Sequence, residues 1–247
     1  MLIPIGSFCR PAYQVREFNI QNNIQPESFP FDWTITSFAA LQKILSPTFN
    51  PSNTFDLKNL FISKLGSISD NYSGLIFHHD LPPHFVNKYH SGDGGKLIDI
   101  SPELIASDAI NNAKGRFIHT FSKFQDYCKN NHQKIGFIRW CRLGNPDPDV
   151  PHLLENENIF VLYEILESFC GHNNFYILRI ISKMANELPP AGSLLKYHQY
   201  SNIGASMLLM ERPGLNGDKT HPHGFGGDTT SWTEALRKFT LDFQIGD

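Results

Sequence analysis

Apolar positions along this chain recur at two spacings, and the switch from one to the other separates helices from strands. Leu2 to Ile5 is a short, continuous apolar run that reads as a buried strand. Ser7 to Cys9 follows as a turn, and Arg10 to Phe18 reads as a helix with Pro11 in its first turn, where a missing N–H costs nothing. Ser37 to Leu45 predicts a short helix stopped by Pro47, and Asp56 to Leu65 a further helix. Leu75 to His78 predicts a strand. Ser101-Pro102-Glu103 is a helix start, and from Leu104 through Ile105, Ala109, Ala113, Phe117, Phe121, Phe124 and Cys128 the apolar residues step by three and four. That spacing predicts one long amphipathic helix.

The second half alternates more regularly. Lys134 to Trp140 reads as a buried strand, Asn158 to Phe169 as a helix closed by Gly171, and Asn174 to Ile181 as the next strand. Strand, helix and strand with short connections imply a βαβ unit and a locally parallel sheet. Leu194 to Tyr200 is a further strand, and Ser231 with Glu234 forms a capping box opening a last helix, Trp232 to Phe243. Ser28 to Trp33 reads as an extended aromatic loop, and the glycines at 92–95 and 214–227 as exposed loops. The expected fold is therefore a three-layer α/β sandwich with a largely parallel central sheet, formed by one domain over residues 1–247.

Composition narrows the function. Hydrophobic residues make up 40% and charged residues 18%, an ordinary globular balance, and 21 basic against 24 acidic residues leave a net charge of -3. No basic block would release counterions from a nucleic acid, so that partner is excluded. No apolar run approaches the roughly 20 residues that span a bilayer, so no membrane is expected. The first residues carry no basic segment of a signal peptide. Cys9, Cys128, Cys141 and Cys170 share no repeating spacing, which suits a reducing compartment. A cytoplasmic protein is expected, unless a machine that reads no N-terminal signal exports it. The oligomeric state is left open.

Candidate chemistry begins at Cys9. A cysteine where a strand turns into a helix meets the positive end of the helix dipole and free backbone N–H groups, which favour thiolate over thiol. The same groups suit an oxyanion, and a small buried hydrophobe is the plainer alternative. His78-His79-Asp80 follows a strand and offers a general base with a carboxylate nearby, although adjacent side chains point apart on an extended chain. Asp32, between Phe31 and Trp33, could accept backbone N–H groups, orient a histidine or pair with Arg139. Arg139 is either an anion clamp or the buried partner of a carboxylate. His221, His223 and Asp228 form a rival base and orienter. The spacing of His78, His79, His84 and His90 matches no familiar ligand pattern, so no metal and no cofactor are expected.

Together these segments have a recognisable look. GSFC with a helix directly after it, PFDW, F-x-H-D and then FIRW resemble a bacterial family of unknown function described as papain-like cysteine peptidases. The positions that carry the resemblance are Gly6, Cys9, Ala12, Pro30, Phe31, Asp32, Trp33, Phe77, His79, Asp80, Phe137, Ile138 and Arg139. Arg116 with Phe117 and Asp228 with Trp232 suit it as well. The resemblance implies a nucleophile at Cys9, a base best matched by His79, and Asp80 or Asp32 as the carboxylate. The extra His78 leaves two neighbouring candidates for the base, with His223 a third. A papain-like fold would put the histidine on a mostly antiparallel α+β sheet, which is the alternative to the parallel architecture read above.

The leading expectation is a cysteine-dependent hydrolase acting on an amide or ester bond of a peptide or small-molecule acyl substrate. Ser7, Arg139 and Trp33 are candidate substrate contacts. An acyltransferase passing the acyl group to an acceptor such as a sugar shares the first half-reaction. A binding module with Cys9 in its core, or a transferase gripping an anion with Arg139, are the other classes.

Overall fold

The computed structural model describes residues 1–6, 9–62, 68–77, 108–130, 132–143, 158–184, 194–211 and 229–245. The predicted Ser7 turn, His78 to Asp80, the start of the long helix at 101–107 and both glycine-rich loops lie outside them.

Strand β1 (Leu2–Pro4) leads to helix α1 (Arg10–Gln21). The short strand β2 (Thr34–Ile35) precedes α2 (Phe38–Ile44), which Ser37 caps by accepting the Ala40 N–H. Then come β3 (Leu60–Ile62), β4 (Ile68–Asp70), β5 (Ile76–Phe77) and the long helix α3 (Ala109–Lys129). The second half runs β6 (Ile135–Leu143), α4 (Ile159–Cys170), β7 (Phe175–Met184), β8 (Leu194–Tyr200), β9 (Gly204–Glu211) and α5 (Thr229–Phe243).

A five-stranded sheet has the order β1-β6-β7-β9-β8, parallel except for β8. The largely parallel sheet drawn from the strand–helix–strand order is therefore the one present. Alternation along its strands separates two apolar faces. Ile3, Ile5, Ile135, Phe137, Phe175 and Ile177 pack against Phe117, Phe121 and Phe124 of α3 and Leu162 and Leu166 of α4. Leu2, Ile138, Trp140, Leu178, Ile180 and Met207 pack against Val15 and Phe18 of α1 and Trp232, Leu236 and Phe239 of α5. Helices on both faces complete three layers.

Two expectations are corrected, and one strand is additional. Asp56 to Leu65 is not a helix in its described part: a single 3-10 turn at Leu57–Asn59 passes directly into β3. Leu60 instead buries in the core shared with Phe55 and Phe77, as a second, antiparallel sheet of order β2-β5-β4-β3 packs over α3. The last helix already begins at Thr229, which puts Ser231 inside it and buried rather than at its cap. Strand β9 was not expected at all. Gly204 at its start has φ +145, and a Cβ there would lie 1.9 Å from the Ile177 carbonyl oxygen, so only glycine lets β9 seat against β7. Among the described residues no helix is long and apolar enough to cross a membrane.

Candidate active site

Cys9 stands at the N-cap of α1, with φ -69 and ψ -14, and its carbonyl accepts the Tyr13 N–H at 3.1 Å. It is therefore already helical, at the carboxyl end of β1, where ligands of open α/β sheets bind. The side chain is 4% exposed. Burial outweighs the helix terminus: it pushes the thiol up to about 11, while the residue's own backbone N–H and the Arg10 guanidinium pull more weakly the other way. The lowered thiol expected from the helix end alone is thus reversed, because desolvation acts on the whole charge and a helix terminus carries only about half of one. Arg10 itself lies 4.8 Å above the Trp140 ring, which ties the helix start to β6.

Beneath this turn sits Arg139. It is fully buried, and its Nη1 donates to the Ile5 carbonyl at 2.9 Å, one residue before Gly6. Gly6 has φ +81, and a Cβ there would come within 2.7 Å of Thr36 Cβ and 3.3 Å of Arg139 Nη1. The glycine lets the backbone close over the guanidinium while Thr36, hydrogen bonded to Thr34 at 2.9 Å, lines the other side. Substituting Gly6→Ala is expected to cost about 2 kcal/mol or more, since both the left-handed backbone and the contact oppose a methyl group. Urea unfolding should show an earlier midpoint at unchanged slope; an unshifted midpoint would contradict this account of the turn.

Asp32 lies in a different setting. Phe29 and Phe31 anchor its turn on α3 through Tyr127 (5.9 Å, edge-on) and Phe124 (5.4 Å, edge-on). Oδ2 accepts the Phe29 N–H at 2.9 Å, whereas Oδ1 is buried without a hydrogen-bond partner among the described residues. Of the roles open to this carboxyl, accepting a backbone N–H is the one found, and no bond joins it to Arg139. Burial pushes Asp32 up to about 7, against the Phe29 N–H and the more distant charges of Lys123 and Arg16. Trp33, the next residue, is 37% exposed. His79, Asp80 and the rival His78 and His223 lie outside the described residues.

A family model described as "Putative papain-like cysteine peptidase" matches residues 1–180. The chain belongs to this family. No curated protein and no solved structure matches it. The matched range takes in Cys9, the PFDW turn and β6 with Arg139.

Sequence reasoning did not find the cavity of about 530 Å³ that opens beside α1. Strand β1 pairs only with β6 among the described residues. The Met1 carbonyl and the Ile5 N–H are directed at β6, bonding Gly136 and Ile138, so the polar groups of Leu2 and Pro4 face the free edge. Pro4 has no N–H to offer there, which blunts the edge against further strand pairing. The cavity runs along this edge between α1 and the segment that ends in Asp32 and Trp33.

Proposed function

We propose that this chain is a cysteine-dependent hydrolase of amide or ester bonds, with Cys9 as nucleophile, His79 as general base and Asp80 as the carboxylate that orients it. The observation that carries the reading is the placement of Cys9: the N-cap of α1, just after a parallel strand, in a family described by its thiol chemistry. His79 would take the Sγ proton as the sulfur attacks the acyl carbon. The tetrahedral oxygen would be held by backbone N–H groups at the start of α1, and His79 would return the proton to the leaving group before water releases the acyl chain. An acceptor other than water at that last step would make the enzyme an acyltransferase without altering the first.

Asp32, whose Oδ2 accepts the Phe29 N–H, is the alternative carboxylate. Arg139 holds the Ile5 carbonyl from a fully buried position and serves the turn rather than the substrate, whereas Ser7 and Trp33 remain proposed contacts.

The burial of Cys9 makes the proposal sharp. A thiol at about 11 is only about one part in ten thousand thiolate at pH 7, too little for a working nucleophile. His79 as general base would take the proton that burial otherwise holds on the thiol. Site-resolved alkylation by iodoacetamide across pH should give a Cys9 midpoint below the ordinary value of about 8.5 in the native protein. The His79→Ala variant should shift it upward, toward the value that burial sets. A midpoint near 11 in both proteins would sink the thiol-enzyme reading.

A further inference from the structure

Cys128 and Cys170 are far apart in the chain and meet in the fold. Cys128 is the last residue but one of α3, and Cys170 ends α4. The two helices pack together on one face of the five-stranded sheet, and both cysteines belong to the core on that face. The chain passes from α3 into β6 and from α4 into β7, and these parallel strands start level with each other, Ile135 opposite Phe175. Both helix ends are thereby brought to the amino edge of the sheet at the same height. There the Cys128 and Cys170 thiols are hydrogen bonded to each other, and no disulfide joins them.

Each cysteine alone is an ordinary small core residue. Facing each other they are something more, because thiols in hydrogen-bond contact are a short side-chain rotation from the separation of a disulfide. The last turn of a helix yields to such a movement more readily than its middle, since its carbonyls lack intrahelical partners. Access differs between the two. Cys128 has no exposed surface, whereas Cys170 keeps 5% and is followed by the exposed Gly171, around which a Cβ would meet nothing within 4 Å. We propose that Cys128 and Cys170 are a reversible redox pair that closes to a disulfide under hydrogen peroxide, tying the carboxyl ends of α3 and α4 together. The Cys170 sulfur attacks one peroxide oxygen, the O–O bond breaks, and Cys170 becomes a sulfenic acid as the first water leaves. The Cys128 sulfur then displaces the sulfenic oxygen as a second water, and the S–S bond forms. Two thiols give up two electrons and two protons to one peroxide. Burial and the neighbouring thiol push Cys128 up, which suits it to the second step rather than the first. The bond encloses a loop that contains β6 and α4, so it restricts the unfolded chain and stabilises the folded one. Cys9 follows the opposite end of the parallel β1, and the pair closes without it. This inference stands independently of the thiol chemistry assigned to Cys9.

The test treats the intact, reduced chain with excess hydrogen peroxide under native conditions, blocks remaining thiols with iodoacetamide in urea, and maps peptides by mass spectrometry without reductant. A linked pair of peptides carrying Cys128 and Cys170 should appear, the melting temperature should rise by roughly 5–15 °C, and dithiothreitol should reverse both. Cys170→Ala should lose the linked peptide and the rise together. The map of the wild-type chain reads the bond directly, so the result does not depend on the variant folding. Oxidation of Cys170 beyond the sulfenic acid with Cys128 still a thiol, a link from either residue to Cys9 or Cys141 instead, a link that forms only in urea, or no reaction of the pair would each overturn the proposal.

Discussion

Replacing Arg139 by methionine is expected to lower the stability of the chain by about 3 kcal/mol, and with it the melting temperature by roughly 6–12 °C. Arg139 is fully buried in the middle of β6, one of the least exposed large side chains of the protein. Its Nη1 satisfies the Ile5 carbonyl, so removing the guanidinium leaves a buried acceptor without that donor. Methionine restores most of the volume, and the loss then reports the polar contact rather than a cavity. The effect should reach the turn that carries Cys9, because Ile5 immediately precedes Gly6, the residue whose left-handed backbone bends over the guanidinium. Thermal unfolding checks the first part, and the rate of Cys9 alkylation under native conditions checks the second, since a loosened turn exposes the thiol. A melting temperature within a degree of wild type would remove Arg139 from the support of the site.

Asp32→Asn should change the pH dependence of stability by a similar amount. Burial holds this carboxyl up to about 7 in the folded protein, against about 3.9 in an unfolded chain. Between those values the folded state binds more protons than the unfolded state. The contribution of Asp32 is therefore present in full below about pH 4 and is lost as pH rises through about 7. Three units correspond to about 4 kcal/mol as an upper figure. Asp70, also raised by burial, acts in the same direction, while Asp56, lowered by Lys114, and Glu27, lowered by the Tyr127 hydroxyl and Lys123 against its partial burial, oppose it at more acidic pH. Asparagine keeps an acceptor for the Phe29 N–H and cannot ionise. The variant should match wild type near pH 4 and exceed it at pH 8. Urea midpoints measured across that range decide the matter, and parallel curves for the two proteins would show that Asp32 is not the titrating group.

The family assignment was visible in the chain itself, because GSFC, PFDW and FIRW each lie within one short segment. The burial that sets the chemistry of Cys9 was not. A helix N-terminus is a local feature and predicts a lowered thiol, whereas the desolvation that reverses it comes from the packing around the helix start. The Asp56 to Leu65 segment shows the same division on a smaller scale. Its apolar residues suit a helix, and only pairing of Leu60 with Asp70 and of Phe61 with Ser69 makes it a strand. Two-residue strands such as β2 and β5 are too short to carry a period of their own, and pairing alone defines them.

What the sequence by itself determined is whatever repeats within a helix or strand. The three-and-four spacing along α3, the alternation that divides β6 and β7 between two apolar faces, the Asn158 and Gly171 ends of α4 and the parallel order that follows from them all arise from neighbours a few residues apart. What only the tertiary structure decided is whatever needs distant segments at one point. The guanidinium of Arg139 under Ile5 joins residues 134 positions apart, and the cavity around Asp32 needs α1, the free edge of β1 and the aromatic turn together. Periodicity records which side of an element is buried, but the desolvation and unfilled hydrogen bonds that give a site its chemistry depend on what that side is buried against.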